Sequence, residues 1–267
     1  MCGILLHKSK GLTDDHFIRS LKMLVHRGPD GFDYKNYGKL YIGHTRLSII
    51  DLSEDGKQPM ISNCKNYTLS YNGEIYNFQY LKKDLISKGH LFYSNTDSEV
   101  ILNGFIEYGN NFFEKLNGIF SIIIYDIKLD KITLARDSFG VKPLYYFVNE
   151  DQIIISSEIK VFNDYCEDDP NSKILFLSHG YIPSPNTTLK NVFSLMPGNY
   201  AEIEENKISF FKFFDLKTLF NQKNNKKMSK QLVMSAVNNQ LLSDAKIGCF
   251  LSGGIDSSIL SFCANTF

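Results

Sequence analysis

Apolar and polar residues alternate along this chain in short stretches whose period changes repeatedly. Residues 3–6 form an apolar run of strand length. Phe17, Leu21, Leu24 and Val25 then recur at helical spacing, with Thr13 placed to cap that helix and the turn-rich His26-Arg27-Gly28-Pro29-Asp30-Gly31 placed to end it. Residues 40–43 and 67–71 read as strands, while residues 78–88 and 98–108 read as amphipathic helices stopped by Gly89 and Gly109. Four short β-rich runs follow at residues 119–125, 131–135, 144–148 and 153–156, separated by turn residues. Many short strands with a few amphipathic helices predict an α+β fold, with helices covering the outer faces of antiparallel sheets.

Pro183, Pro185 and Pro197-Gly198 mark the far edge of this unit, which places a first domain at residues 1–205. From residue 206 to 229 the composition turns to Lys, Asn, Phe and Gln, the pattern of a connector. Residues 230–267 open with a helix carrying Leu232, Val233, Val237 and Leu241. They continue into residues 247–251, predicted as a short buried strand, and then into Ser252-Gly253-Gly254-Ile255-Asp256-Ser257.

Charge narrows the function classes. The 29 basic residues balance 29 acidic ones, so no surplus exists to neutralise the phosphates of a nucleic acid. The lysines at 223, 226, 227 and 230 read as a solvated linker face. The five cysteines are odd in number, widely spaced and without a Cys-x-x-Cys pair, which excludes a disulfide framework and a zinc site and fits a reducing cytosol. No signal-peptide pattern opens the chain, and the longest apolar run, residues 119–125, is far too short to span a membrane.

Two segments carry candidate chemistry. Removal of Met1 would leave Cys2 with a thiol and a free α-amine on one carbon. The unperturbed pKa of such an amine, about 8, suits it to take the thiol proton near neutrality, where a lysine amine stays charged. Arg46, in Gly43-His44-Thr45-Arg46-Leu47-Ser48-Ile49-Ile50-Asp51, can present a guanidinium to a carboxylate. Asn72 and Gly73, at the end of a strand, can offer a side-chain amide and a backbone N–H to an oxyanion. Asp97 has two readings, an acceptor for a substrate ammonium or a cap of the helix that starts there. At the other end, Ser252-Gly253-Gly254-x-Asp256-Ser257 is a strand–loop–helix phosphate site, where glycines bring backbone N–H groups close to the anion and the helix N-terminus adds its dipole.

Read together, these stretches resemble the class II glutamine amidotransferases, and among them the glutamine-hydrolysing asparagine synthases. The resemblance rests on Met1-Cys2-Gly3-Ile4, His26-Arg27-Gly28-Pro29-Asp30, residues 46–51, Gln58-Pro59-Met60, residues 71–77 and 96–99, Arg136-Asp137-Ser138-Phe139-Gly140-Val141-Lys142-Pro143-Leu144-Tyr145-Tyr146, Ser156-Ser157-Glu158 and Pro197-Gly198. It implies a four-layer αββα N-terminal nucleophile hydrolase sandwich followed by the first elements of an α/β ATP-pyrophosphatase domain. It implies Cys2 as nucleophile, Arg46 on the glutamine carboxylate, Ile49 and Ile50 as pocket walls, Asn72 and Gly73 as the oxyanion hole, and Glu74 and Asp97 completing the glutamine site. Leu251, Ser252, Gly253, Gly254, Asp256 and Ser257 are implied to hold ATP, a substrate used with Mg2+, while aspartate is the implied acceptor; no tightly bound cofactor, resident metal, nucleic acid or membrane is expected, and a homodimer is left open. The chain ends soon after this loop, so the expectation is a complete glutaminase and a synthetase truncated in the gene or in the expressed polypeptide, with no asparagine formed and little affinity for ATP. A relative that amidates another carboxylate, or a remnant that only hydrolyses or binds glutamine, are the alternatives.

Overall fold

The computed structural model describes residues 1–221 and 229–267, so the linker lysines at 223, 226 and 227 lie outside the described residues; Lys230 is exposed. The first segments run β1 (Gly3–Ser9), α1 (Asp14–Lys22), β2 (Gly31–Asn36) and β3 (Leu40–Arg46). They continue through β4 (Met60–Ile61), β5 (Tyr67–Ile75), α2 (Phe78–Ser87) and α3 (Asp97–Tyr108). A run of strands follows: β6 (Gly118–Asp126), β7 (Lys131–Arg136), β8 (Tyr145–Val148) and β9 (Gln152–Ser156). The last segments are α4 (Pro170–His179), β10 (Phe193–Ser194), β11 (Asn199–Glu204), β12 (Lys207–Lys212), α5 (Ser229–Asn239) and α6 (Ile255–Ala264).

Two six-stranded antiparallel sheets result, in the orders β10-β8-β9-β1-β3-β2 and β12-β11-β7-β6-β5-β4. Side-chain alternation in each strand decides which layer every residue joins. Ile4 and Leu6 of β1 and Ile42 of β3 meet Ile123, Ile132 and Leu134 of the second sheet, forming the core between the sheets. Leu5 and Tyr41 point the other way, onto Phe17 and Leu21 of α1. Leu69, Ile75 and Ile122 cover the outer face of the second sheet with Leu81 and Leu85 of α2, Val100 and Ile101 of α3, and the wholly buried Phe112 and Phe113. The layers are therefore α, β, β, α, as the resemblance implies.

Local chemistry accounts for the helix boundaries. The Thr13 hydroxyl accepts the His16 N–H at 3.4 Å, and Gly109, at φ 58°, ends α3. The first helix stops at Lys22, short of Val25, and passes into tight turns with Leu24 N–H on Leu21 O and Arg27 N–H on Leu24 O, both at 2.9 Å.

Two expectations change. The connector read from residue 206 begins with a strand: β12 pairs along β11 from Asn199↔Lys212 to Glu204↔Lys207. It is an edge strand exposed on most positions, so no alternation announced it. Residues 247–251 are not a buried strand: they form no ladder, and Phe250 is fully exposed (100 %). A single extended segment has nowhere to place its backbone hydrogen bonds, and no described segment pairs with it.

No helix among the described residues is long and apolar enough to cross a membrane.

Candidate active site

Every glutaminase residue expected from the sequence lines one pocket at the end of the two sheets: Cys2, Arg46, Ile49, Ile50, Asn72, Gly73, Glu74 and Asp97. Cys2 arrives there because the residues after it are pinned. Gly3 N–H donates to Thr45 Oγ1 and Ile4 N–H to Ser157 Oγ, both at 3.1 Å, while Arg27 Nε donates to the Cys2 carbonyl at 2.9 Å. Arg27 is held in turn by Glu158, at 3.0 Å, which His26 also contacts. A side chain at residue 3 would put its Cβ 2.6 Å from Thr45 Oγ1, so only glycine lets β1 lie this close. The sequence stretches around 26–30 and 156–158 thus serve to place the nucleophile.

The thiol sits against the backbone of Leu47, whose N–H approaches Sγ at 3.4 Å. Burial pushes the Cys2 thiol up from its usual value, and the Leu47 contact opposes that. Burial lowers the α-amine of Met1, the residue whose removal the N-terminal nucleophile expectation requires, and the nearby Lys142 charge adds to the effect. The amine that Cys2 would expose on loss of Met1 would stand in the same buried surroundings, which favour the neutral form a base requires.

Alternation along β5 places the two expected oxyanion donors. Leu69, Tyr71 and Ile75 face the helices, so Ser70, Asn72 and Glu74 face the other sheet; Ser70 Oγ accordingly donates to Gly43 O at 2.9 Å. The Asn72 Nδ2 is buried and has no protein partner among the described residues. Such a group costs free energy unless a ligand atom meets it, and a developing oxyanion would. The backbone N–H groups of Tyr71 and Ile75 turn away from β6, to Gln58 Oε1 at 2.7 Å and Asp97 Oδ2 at 3.0 Å. Gly73, between them in the same period, aims its N–H the same way, into the pocket. A Cβ at Gly73 would stand 2.7 Å from Phe120 Cα, which explains the glycine.

Asp97 is not the helix cap: Thr96 is, its hydroxyl accepting the Glu99 N–H at 3.3 Å. The Asp97 carboxylate accepts from Tyr71 Oη at 2.8 Å and Ile75 N–H, both on Oδ2. Burial raises it to about 6 despite these bonds. Burial also raises Glu74, which Lys142 opposes.

Arg46 has a structural task beside the expected one. Its guanidinium donates to Asp51 O at 2.5 Å and Ser53 O at 2.8 Å, which leaves three of its five N–H donors for a substrate carboxylate. Asp51 has φ 53°, a conformation that costs a non-glycine residue about 1–2 kcal/mol and that these contacts maintain.

Sequence reasoning left other pocket residues without a role: His44, Gln58, Tyr71 and Lys142. Three of them are buried polar groups in strands or turns, and only their cross-layer bonds reveal a function. His44 Nε2 donates to Tyr71 O at 3.1 Å, tying the two sheets together beside the site. Lys142 comes from a loop folded around Asp137, whose carboxylate takes the N–H groups of Phe120, Phe139, Val141 and Lys142.

The phosphate-loop residues are placed separately. Gly253, at φ 84°, makes the turn, Gly254 precedes α6, and the Ser252 and Ser257 hydroxyls lie 3.0 Å apart. Leu251, Ser252, Gly253, Gly254 and Asp256 are exposed and Ser257 is partly so.

Fold and pocket agree with a glutamine amidotransferase, and the family model for the glutamine amidotransferase domain matches residues 1–214: the chain belongs to that family. Residues 228–267 match the asparagine synthase family. The chain is 35 % identical to asparagine synthetase [glutamine-hydrolyzing] 1 of Bacillus subtilis over 92 % of its own length and 40 % of that protein's. It is 33 % identical to the putative asparagine synthetase [glutamine-hydrolyzing] 2 of Methanocaldococcus jannaschii, over 97 % of this chain and 56 % of the relative. It therefore spans about two fifths to just over half of these curated relatives. Among solved structures, the glutamine phosphoribosylpyrophosphate amidotransferase of B. subtilis, complexed with ADP and GMP, shares the fold: the TM-score is 0.60 at 17 % identity, over 99 % of this chain and 64 % of that one.

Proposed function

We propose that this chain hydrolyses glutamine to glutamate and ammonia at Cys2, as the glutaminase part of a glutamine-dependent asparagine synthetase. One observation carries the reading: the thiol, a guanidinium, a buried carboxylate and an unpaired amide donor converge on one pocket. Met1 is removed first. The α-amine takes the thiol proton as sulfur attacks the side-chain carbonyl carbon, and Asn72 Nδ2 with the Gly73 N–H receives the oxyanion. Collapse expels ammonia, which leaves with the proton held by the amine. The amine then deprotonates a water that cleaves the thioester, releasing glutamate and restoring the thiol. Arg46 and Asp97 bind the α-carboxylate and α-ammonium of glutamine, and Ile49, Ile50 and Glu74 complete the pocket.

Ammonia, in this reading, amidates an aspartate activated by ATP with Mg2+ in a cytosolic enzyme. Support comes from the asparagine synthase match at residues 228–267 and from the loop at 252–257. Its glycine turn and the free N-terminus of α6 suit a pyrophosphate. The test is direct. Intact mass of the active protein is expected to lack Met1, and Cys2→Ala is expected to abolish glutamate release while the circular dichroism spectrum stays unchanged. Activity surviving either the substitution or a retained Met1 overturns the proposal.

A further inference from the structure

The wall of the glutamine pocket formed by residues 47–50 has no strand of its own to hold it, since β3 ends at Arg46. Arg46 fixes Asp51 and Ser53 from inside, and the Asn95 N–H holds the Asp51 carboxylate at 3.0 Å. Two further backbone groups of the loop are the Ile49 carbonyl and the Asp51 N–H. Both are met by a segment from the far end of the chain. Asp244 N–H donates to Ile49 O at 2.9 Å, and Asp244 Oδ2 accepts the Asp51 N–H at 2.7 Å. The single Ser243 O–H lies within reach of Ala245 O at 2.9 Å and Ile49 O at 3.4 Å, and Ser243 Oγ accepts the Ala245 N–H at 3.0 Å, which shapes the segment into a tight turn. Next to it, Leu242 and Ile50 pack against the same core cluster, the one that holds α2 and α3.

We propose that Asp244, supported by Ser243, is a positioning residue for the glutamine pocket: it clamps the loop carrying Ile49 and Ile50 in the conformation that receives substrate. The glutaminase reading above is its premise. The clamp is two-pronged, one prong a backbone donor and the other a carboxylate acceptor, so it fixes both the position and the rotation of the Ile49–Ile50–Asp51 peptide planes. The carboxylate prong is the stronger, because a charged acceptor on an N–H outweighs a neutral one. It also falls on the residue at φ 53°, the point of the loop most prone to relax. Part of the glutamine site thus lies outside the two sheets, in the segment between α5 and α6.

The experiment uses the full chain with Asp244→Ala, Asp244→Asn and Cys2→Ala. Loss of a charge-assisted hydrogen bond predicts a glutamine KM raised about ten-fold in Asp244→Ala, with kcat within about two-fold of the parent. Asp244→Asn keeps an acceptor oxygen and is expected to restore most of the affinity. A merely structural residue would instead lower the active fraction, and so kcat, without moving KM. Hydrogen exchange supplies a readout independent of turnover: in Asp244→Ala the Asp51 amide is expected to exchange at least about ten-fold faster while the β5–β6 amides stay protected. Unchanged KM and unchanged exchange at Asp51 overturn the clamp. A parent protein as inactive as Cys2→Ala overturns the glutaminase reading instead, and the exchange measurement still decides the clamp.

Discussion

Asn72 and Arg46 sit in the same pocket, and under the proposed glutaminase reaction they meet different parts of the substrate, which kinetics should separate. In that reaction the Asn72 Nδ2, which has no partner among the described residues, gains one only as the carbonyl oxygen becomes an oxyanion. Asn72→Ala is therefore expected to lower kcat by on the order of 100-fold with little change in KM. Arg46→Ala, which removes a contact to a carboxylate present from the start, should chiefly raise KM; the reverse pattern in steady-state kinetics would exchange the two roles. Asp97 carries a stability consequence of its own. Its folded-state pKa of about 6 lies above the ordinary 3.8, so the protonated form is favoured on folding. The stabilisation this gives is fully present below pH 3.8 and is lost as pH rises through about 6. Asp97→Asn can keep both bonds on the retained oxygen. It is expected to stabilise the protein at pH 7.5 by up to about 3 kcal/mol, with the difference vanishing near pH 4, and to weaken glutamine binding. Thermal melts across that pH range check the first part, and a melt difference that does not vary with pH would exclude it.

Among the elements, the loop from Asp137 to Lys142 matters most to the chemistry. Four backbone N–H groups converge on the Asp137 carboxylate, and Arg136 holds the other side through Gly140 O at 2.7 Å and Lys142 O at 2.8 Å. The result is a rigid turn that delivers the Lys142 side chain to the pocket. There its charge favours the thiolate, against burial and the Asp97 charge, which raise the Cys2 thiol. Lys142→Met is expected to move the acid limb of the kcat/KM–pH profile to higher pH, since the Cys2 thiol then holds its proton longer, whereas Lys142→Arg should restore it. An unshifted profile would remove Lys142 from the reaction's electrostatics.

At the scale of the molecule, packing thins after β12, beyond which Phe213 and Leu242 still reach a core cluster. Both sheets and their covering helices fill three continuous apolar clusters, while Leu251, Ile255 and Phe262 beyond them are 64, 80 and 70 % exposed. Limited trypsin digestion is expected to cut first beyond Lys212 and leave a resistant core ending near β12, as mass spectrometry of the fragments would show. That core retains Cys2, Arg46, Asn72 and Asp97 but loses the Asp244 clamp, so it should hydrolyse glutamine with a raised KM. Early cleavage within β1–β11 would contradict this.

The sequence by itself determined the elements whose pattern is local. The helical spacing of Phe17 and Leu21, the glycine stops at 89 and 109, and the alternation in β5 to β9 depend on neighbours a few residues away, so they were legible without tertiary structure. Short motifs likewise pick out Cys2, Arg46, Asn72 and Gly73, and all four line the one pocket. Strands β2 and β12 escaped because edge strands exposed on both faces carry no alternation. Only the tertiary structure decided that Thr96 and not Asp97 caps α3, that Lys142 enters the pocket, and that Asp244 reaches a loop 193 positions away. Each of these is a contact between segments distant in sequence, and such contacts are set by the packing of whole layers. No local period or motif encodes them.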